Sequence, residues 1–440
     1  MKKIDLTSGK ELSVITLLSI PLIGSSLLQF LYNFIDMLFV GGLGPDAIAS
    51  VGSASFFINL GYSIQAMIVV GGGIKIAHAM GSKNDKESSS YIGISLFLNF
   101  IIGIITIFGL LFLGNYLLAF LDLKNEAVQT NAYQYLAVSG FMLFFSYFNT
   151  FFIRMFSSFG NNKHSFYISA FGLVLNIILD PIFIYTFKWG VIGAAIATLI
   201  AQILMLILFV YLARNILFQK NIIQTSYRKA SEIIRLGIPM STQRVLFTVI
   251  NIILAKFIAS YGTDAVAAQK IGLQIESVTF IVMGSLNGAV SSFVGQNFGA
   301  KKFKRILKGY RVSLILGSLY ALFTSIVFIF CSEELARLFT QDSETIAITS
   351  SYLEIIGLSQ IFMAMEMIGT GVYTGIGLPK IPSIISIIFT LIRIPLAIFL
   401  MPIFGLNGIW LSIAISSLVK GLLSVTIFNV IYRRKYQNAL

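Results

Sequence analysis

Twelve apolar runs, each longer than twenty residues, follow one another with only short polar breaks between them. Their limits are 12–40, 47–78, 90–120, 128–158, 165–187, 191–214, 232–260, 265–297, 309–331, 346–375, 381–401 and 406–432. Such a run matches the roughly 20 residues a helix needs to cross the hydrocarbon of a bilayer. Inside lipid, every backbone polar group must be satisfied within the protein. Hydrophobic residues form 57% of the 440 and charged residues 11%, more apolar surface than a soluble domain of this length can bury. The expected fold is an all-α polytopic membrane protein. The first run is too long for a signal-peptide core and shows no small-residue cleavage pattern, so it is read as mature structure.

Charge placement orients the spans. Lys2, Lys3, Lys10, Lys83, Lys86, Lys163, the connector 214–235, the 301–311 loop, Lys380 and Arg433–Lys435 fall on one side. The other side holds Lys124, Lys188 and Arg337. The positive-inside rule then puts both termini in the cytoplasm of a plasma (inner) membrane. The net charge of +13 is explained by basic loops facing anionic inner-leaflet lipid, so membrane lipid is an expected partner and nucleic acid is not. Cys331 is alone, and His78 and His164 belong to no HExxH pattern, which leaves no disulfide framework, thiolate cluster or organic cofactor to expect. An SxxK spelling at Ser226–Lys229 and the GIG at Gly375–Gly377 lack the partners or strand context of catalytic motifs, so no enzyme is read here.

The chain is written twice. Pro21 matches Pro239, Asn33 matches Asn251, and Gly44-Pro-Asp46-Ala47 matches Gly262-Thr-Asp264-Ala265, all at an offset of 218. Tyr135, Gly140 and Gly160 match Tyr352, Gly357 and Gly377 at 217, and Gly190 and Gly193 match Gly405 and Gly408 at 215. Six spans per copy is an even number. The expected arrangement is therefore two parallel six-helix lobes related by a pseudo-two-fold axis along the membrane normal. The boundaries read as residues 1–217 for one lobe, 218–230 for a cytoplasmic linker and 231–440 for the other. That organisation suits a transporter that works by alternating access.

Differences between the copies point to chemistry. Asp36 faces Leu254 in the alignment, and Asp180 faces Ala397. A carboxylate inside a span is costly and marks an ion or proton path by default. Asn176 and Asp180 are four residues apart on one helix face, and Tyr32, Asn33 and Asp36 are expected to share a face of the first span. Counting helix rise puts Asp36, Asn176, Asp180 and Thr198 in one layer toward the outer side. No basic residue of that lobe lies at this depth, since Lys75 and Arg154 fall near cytoplasmic ends, where they can snorkel. Two such acids either hold a proton or bind Na⁺ together with the Asn and Thr oxygens; the plainer alternative is a hydrogen-bonded cluster that only fixes packing. The second copy carries Arg244, Lys256, Glu276, Glu354, Glu366 and Arg393 within its spans. Glu366, aligned with Asn149, is read as a lone acid that could bind a cationic substrate or second ion, and Glu366, Asn149 and Asn33 are the secondary candidates. Pro21 removes a helix hydrogen bond and invites a bend in the first span.

Pro21 with Asp36, then FVGGLGPDAIA, LNIILDPIF and WGVIGAAIAT, resemble the multidrug and toxic compound extrusion (MATE) transporters over nearly the whole chain, and the DinF-like branch most. The resemblance implies that Asp36, Asn176, Asp180 and Thr198, with Tyr32 nearby, form a first-lobe site for the coupling cation, H⁺ or Na⁺. It implies export of organic cations and other amphipathic compounds against entry of that ion; the chain is expected to act as a monomer. Phe247 stands where the NorM-like branch has a carboxylate, and Glu366 lies one turn from that branch's second acid. The competing reading, a lipid-linked saccharide flippase of the same superfamily, would ask for two further spans and a basic central cavity.

Overall fold

A computed structural model describes residues 5–121, 125–217 and 227–436, with side chains up to residue 430. Among the described residues the secondary structure is helical: α1 Glu11–Gly41, α2 Pro45–Gly81, α3 Asp85–Ala119, α4 Glu126–Ser158, α5 Asn162–Pro181, α6 Gly190–Leu217, α7 Tyr227–Ala259 and α8 Thr263–Gly299. There follow α9 Phe303–Phe330, the short α10 Ser332–Arg337, α11 Ser343–Gly357, α12 Gln360–Gly375, α13 Lys380–Leu391, α14 Arg393–Phe404 and α15 Leu406–Tyr436. Among the described residues, eleven helical stretches are long and apolar enough to span a bilayer, and the pair α11–α12, bent by 54°, makes twelve when counted as one span. The protein is thus an all-α, multi-pass membrane protein, and every apolar run of the sequence corresponds to one of these spans.

The breaks between helices repeat in conformation as well as in spelling. Gly44 and Gly262 have φ of 103° and 111°, a region that L side chains rarely adopt, and each immediately precedes its helix. Lys83 and Lys301 both take φ of 56°, Gly160 and Gly377 take 77° and 82°, and Gly190 and Gly405 take 55° and 57°. Local capping adds to this: Asn84 accepts the Glu87 N–H at 3.1 Å, and Asp342 accepts the Thr345 N–H at 2.7 Å.

The packing divides the chain into two compact units, and the division does not fall at the linker. One unit takes Ile20–Ser241; the other takes Leu6–Ser19 together with the chain from Thr242 onward. Helix α1 changes unit one residue before Pro21, and α7 changes two residues after Pro239, the proline matched to it. The expected linker 218–230 lies outside the described residues through 226, and its last four residues already belong to α7.

In the first unit, Ile233 of α7 joins a cluster with Phe151, Phe156 and Phe209, wholly buried. Gly71 and Gly237 permit this seat: a Cβ on the first would strike the Ile233 carbonyl, and one on the second the Met67 carbonyl. Lys75 does not snorkel. It pairs with Glu232 at 2.5 Å, and the Tyr91 hydroxyl donates to the same carboxylate oxygen at 2.7 Å. In the second unit the N-terminal segment is held comparably. The Leu6 N–H donates to Gln296 Oε1 at 3.1 Å, Asn297 donates to the Leu6 carbonyl at 3.1 Å, and Arg305 pairs with Glu11 at 3.2 Å.

Candidate functional site

The candidate residues of the first unit converge because three helix ends are tied together. Asp180 is followed by Pro181, which cannot donate to the helix ladder. The next turn, Ile182–Thr186, widens to π geometry, with the Phe187 N–H reaching the Ile182 carbonyl at 2.9 Å. From this turn the Tyr185 hydroxyl donates to the Phe39 carbonyl near the end of α1 at 2.6 Å. On its other side lies Gly193 of α6, where an added Cβ would stand 2.6 Å from the Phe183 carbonyl oxygen. One wide turn thus sets the height of α1, α5 and α6 relative to one another.

That arrangement brings Tyr32, Asp36, Asn176, Asp180 and Thr198 into one cluster. Asn176 and Asp180 are fully buried, and Tyr32 and Thr198 nearly so. Asn176 Nδ2 donates to Asp180 Oδ1 at 2.9 Å, as the four-residue spacing anticipates. The Tyr32 phenol faces Thr198 and lies within electrostatic range of both carboxylates, which also interact with each other. Four buried oxygens in the cluster have no hydrogen-bond partner among the described residues: Tyr32 Oη, Asp36 Oδ1, Asn176 Oδ1 and Asp180 Oδ2. None of the ion pairs among the described residues involves Asp36 or Asp180. A set of hard oxygen acceptors with two negative charges and no protein cation fits a proton or Na⁺. No group of three His, Cys, Asp or Glu side chains suited to a heavier metal occurs among the described residues.

Two residues change the expected set. Asn33 is not part of the cluster; it is exposed and accepts from Gln29 within α1 at 3.4 Å. Helix rotation explains this, since one residue beyond Tyr32 the side chain has turned about 100°. Tyr135 of α4, buried, interacts with Tyr32, Asp36 and Asp180 and joins the site. The internal repeat carried the signal for it. Its counterpart Tyr352 likewise attends an acid, donating to Glu276 at 2.8 Å.

The second unit is built differently. Leu254 and Ala397, the counterparts of Asp36 and Asp180, lie in an apolar cluster with Tyr352 and Trp410. Glu366 is not a lone acid: Lys420 holds it at 2.8 Å. Lys420 sits within the last apolar run, 54 residues along the chain, with no local sign that it meets Glu366. Asn149, the counterpart of Glu366, spends its amide on Gln202, at 2.9 Å to the carbonyl and 2.7 Å to Oε1. It belongs to helix packing between α4 and α6 and stands apart from the cluster. Pro21 lies within a continuous α1, its carbonyl accepting the Ser25 hydroxyl at 2.9 Å.

The MatE family model matches the chain twice, over residues 21–182 and 239–399. The chain belongs to the MATE family. Both matched segments begin at the repeated proline, so the family unit and the internal repeat coincide. Similar curated proteins include "Probable multidrug resistance protein NorM" of Thermotoga maritima, 27% identical over 93% of this chain and 90% of that protein. "Multidrug export protein MepA" of Staphylococcus aureus is 26% identical over 90% and 89%. Among solved structures, an outward-facing multidrug resistance MATE family transporter of the MOP superfamily superposes with a TM-score of 0.91 at 24% identity, covering 98% of both chains. A variant of the Vibrio cholerae MATE transporter VcmN gives 0.90 at 20% identity over 97% of both. These likenesses carry the two-lobe, twelve-helix MATE fold to this chain.

Proposed function

We propose that this protein is a secondary antiporter of the plasma membrane that exports amphipathic, cationic small molecules against entry of H⁺ or Na⁺. The relatives named as multidrug resistance and export proteins support the efflux reading. The cation-coupling reading rests on one observation: Asp180, fully buried, and Asp36, half-buried with its Oδ1 enclosed, interact with each other without a basic partner among the described residues. Ionised together in a low dielectric, they repel and are poorly solvated, so uptake of a cation from outside is favoured. Asn176 orients Asp180, while Tyr32 and Thr198 complete the oxygen set. Neutralised carboxylates relieve the repulsion between α1 and α5, and a bend of α1 at Pro21 is the response available to that helix. Coupling follows if the ion-bound arrangement has lower affinity for the exported compound. The protein works as a monomer with both termini in the cytoplasm, in contact with membrane lipid, without organic cofactor, nucleic acid or enzymatic step.

Transport into proteoliposomes under an imposed pH or Na⁺ gradient tests the reading. Asp36→Asn and Asp180→Asn are each expected to lower gradient-driven exchange by about tenfold or more, roughly 1.4 kcal/mol of coupling. Exchange at wild-type rates in both variants would overturn the site. The gradient that drives the wild type identifies the ion.

A further inference from the structure

The two units treat buried acid in opposite ways. In the first, two carboxylates have no cation among the described residues; in the second, Glu366 has a lysine built in beside it, and Glu276, bonded to Tyr352, lies within electrostatic range of Arg393. Glu366 of α12 pairs with Lys420 of α15 at 2.8 Å, and the two side chains are only 14% and 6% exposed. Arg393 at the start of α14, also buried, interacts with both Glu366 and Glu276, and its Nε donates to Ser416 at 2.6 Å. Two acids and two bases therefore form a neutral set inside this unit. The matching helices of the first unit, α4 and α6, are joined by the neutral amide pair Asn149–Gln202. At the repeat offset of 215, Gln202 corresponds to Ser417, one helical turn from Lys420. A brace between these helices thus needs no charge, so the ion pair of the second unit calls for a further reason.

We propose that Lys420 is a tethered countercation: its ammonium occupies, at Glu366, the place a transported cation would otherwise take, and so removes the second unit from ion coupling. This rests on the reading of the first unit as the coupling site and adds which residue makes that unit the sole exchanger. A buried carboxylate must be neutralised by a proton, a bound ion or a fixed partner. A partner fixed to the same fold is present at every moment of the cycle. A free ion must instead be drawn from solution against its own concentration. With Lys420 in place, Glu276, Glu366, Arg393 and Lys420 balance to no net charge; without it, the set keeps Arg393 but carries one net negative charge, which opens Glu366 to a cation.

Thermal unfolding in detergent, in NaCl against choline chloride, tests this in a background carrying Asp36→Asn and Asp180→Asn. There, a Na⁺ response belongs to the second unit whether or not the two aspartates couple transport. Lys420→Ala, which frees both the charge and the volume of the side chain, is expected to gain a Na⁺-dependent rise in Tm of about 3 °C or more. Lys420→Arg, and Glu366→Gln combined with Lys420→Ala, are expected to show none. A Lys420→Ala protein that unfolds at the same temperature in both salts overturns the proposal. So does one that fails to fold in either salt while the double variant folds, because a site open to Na⁺ would have been rescued by it.

Discussion

Asp180 has one oxygen satisfied and one unsatisfied, and the difference is made by Asn176. Its amide donates to Oδ1 at 2.9 Å, leaving Oδ2 as a buried acceptor with no partner among the described residues. Removing that donor frees the carboxylate to rotate and costs one charge-assisted hydrogen bond, worth about 1.5–3 kcal/mol. Asn176→Ala is therefore expected to raise the coupling-ion concentration needed for half-maximal exchange by roughly tenfold or more. Asn33→Ala serves as the comparison, because its exposed amide touches only Gln29 at 3.4 Å. Its ion dependence should match the wild type in the same vesicle assay. Of the residues gathered at the site, Asp36 and Asp180 were legible in the sequence because a carboxylate in an apolar run is conspicuous. Tyr135 was marked only by its place in the repeat, because tyrosine is ordinary in a span and its neighbours from α1 and α5 give it the role.

Helix ends fix how deep each functional side chain sits. The π turn after Pro181 meets Gly193 at backbone distance, and the second unit repeats the device: a Cβ on Gly408 would stand 2.6 Å from the Leu400 carbonyl oxygen. The recurrence shows that close approach at this joint belongs to the scaffold and is independent of the acids. Gly193→Ala forces α6 away from the turn and is expected to destabilise the protein by about 1–3 kcal/mol. It should weaken ion-dependent exchange as well, since Thr198 rides on the same helix. Gly109→Ala in α3 is the control. An added Cβ there meets nothing within 4 Å, and the change should be neutral or stabilising by up to about 1 kcal/mol. Unfolding temperature and exchange rate, measured together, check both. Helix existence and the glycine-marked breaks were readable from composition. The π turn was not, because its proline and aromatic residues spell an ordinary helix end.

Across the whole chain, the units exchange parts: the first contains Tyr227–Ser241 of α7, and the second contains Leu6–Ser19 of the N-terminal segment and α1. A fragment comprising residues 1–217 lacks the α7 half that buries Ile233 and neutralises Lys75 through Glu232. A fragment from 227 onward lacks Leu6 and Glu11, leaving Gln296, Asn297 and Arg305 without these partners. Either fragment expressed alone is expected to be degraded or aggregated. The two co-expressed should restore ion-coupled exchange to within about an order of magnitude of the intact chain, because each supplies the missing strip of the other's core. Recovery of stable, monodisperse material from one fragment alone would contradict the exchange.

The linear order of residues determined that this chain spans a membrane twelve times, that it is a duplicated structure, and that one copy alone carries acids at Asp36 and Asp180. Those properties follow from hydrophobic length, repeat spacing and residue type, which need no third dimension. Only the tertiary structure decided where α1 and α7 change unit. It also decided that Asn33 turns away, that Tyr135 joins the site, and that Glu366 is already paired. The reason is physical: a helix face and an ion pair are set by which neighbouring helix lies alongside, and sequences 54 residues apart, such as Glu366 and Lys420, carry no local sign that they meet.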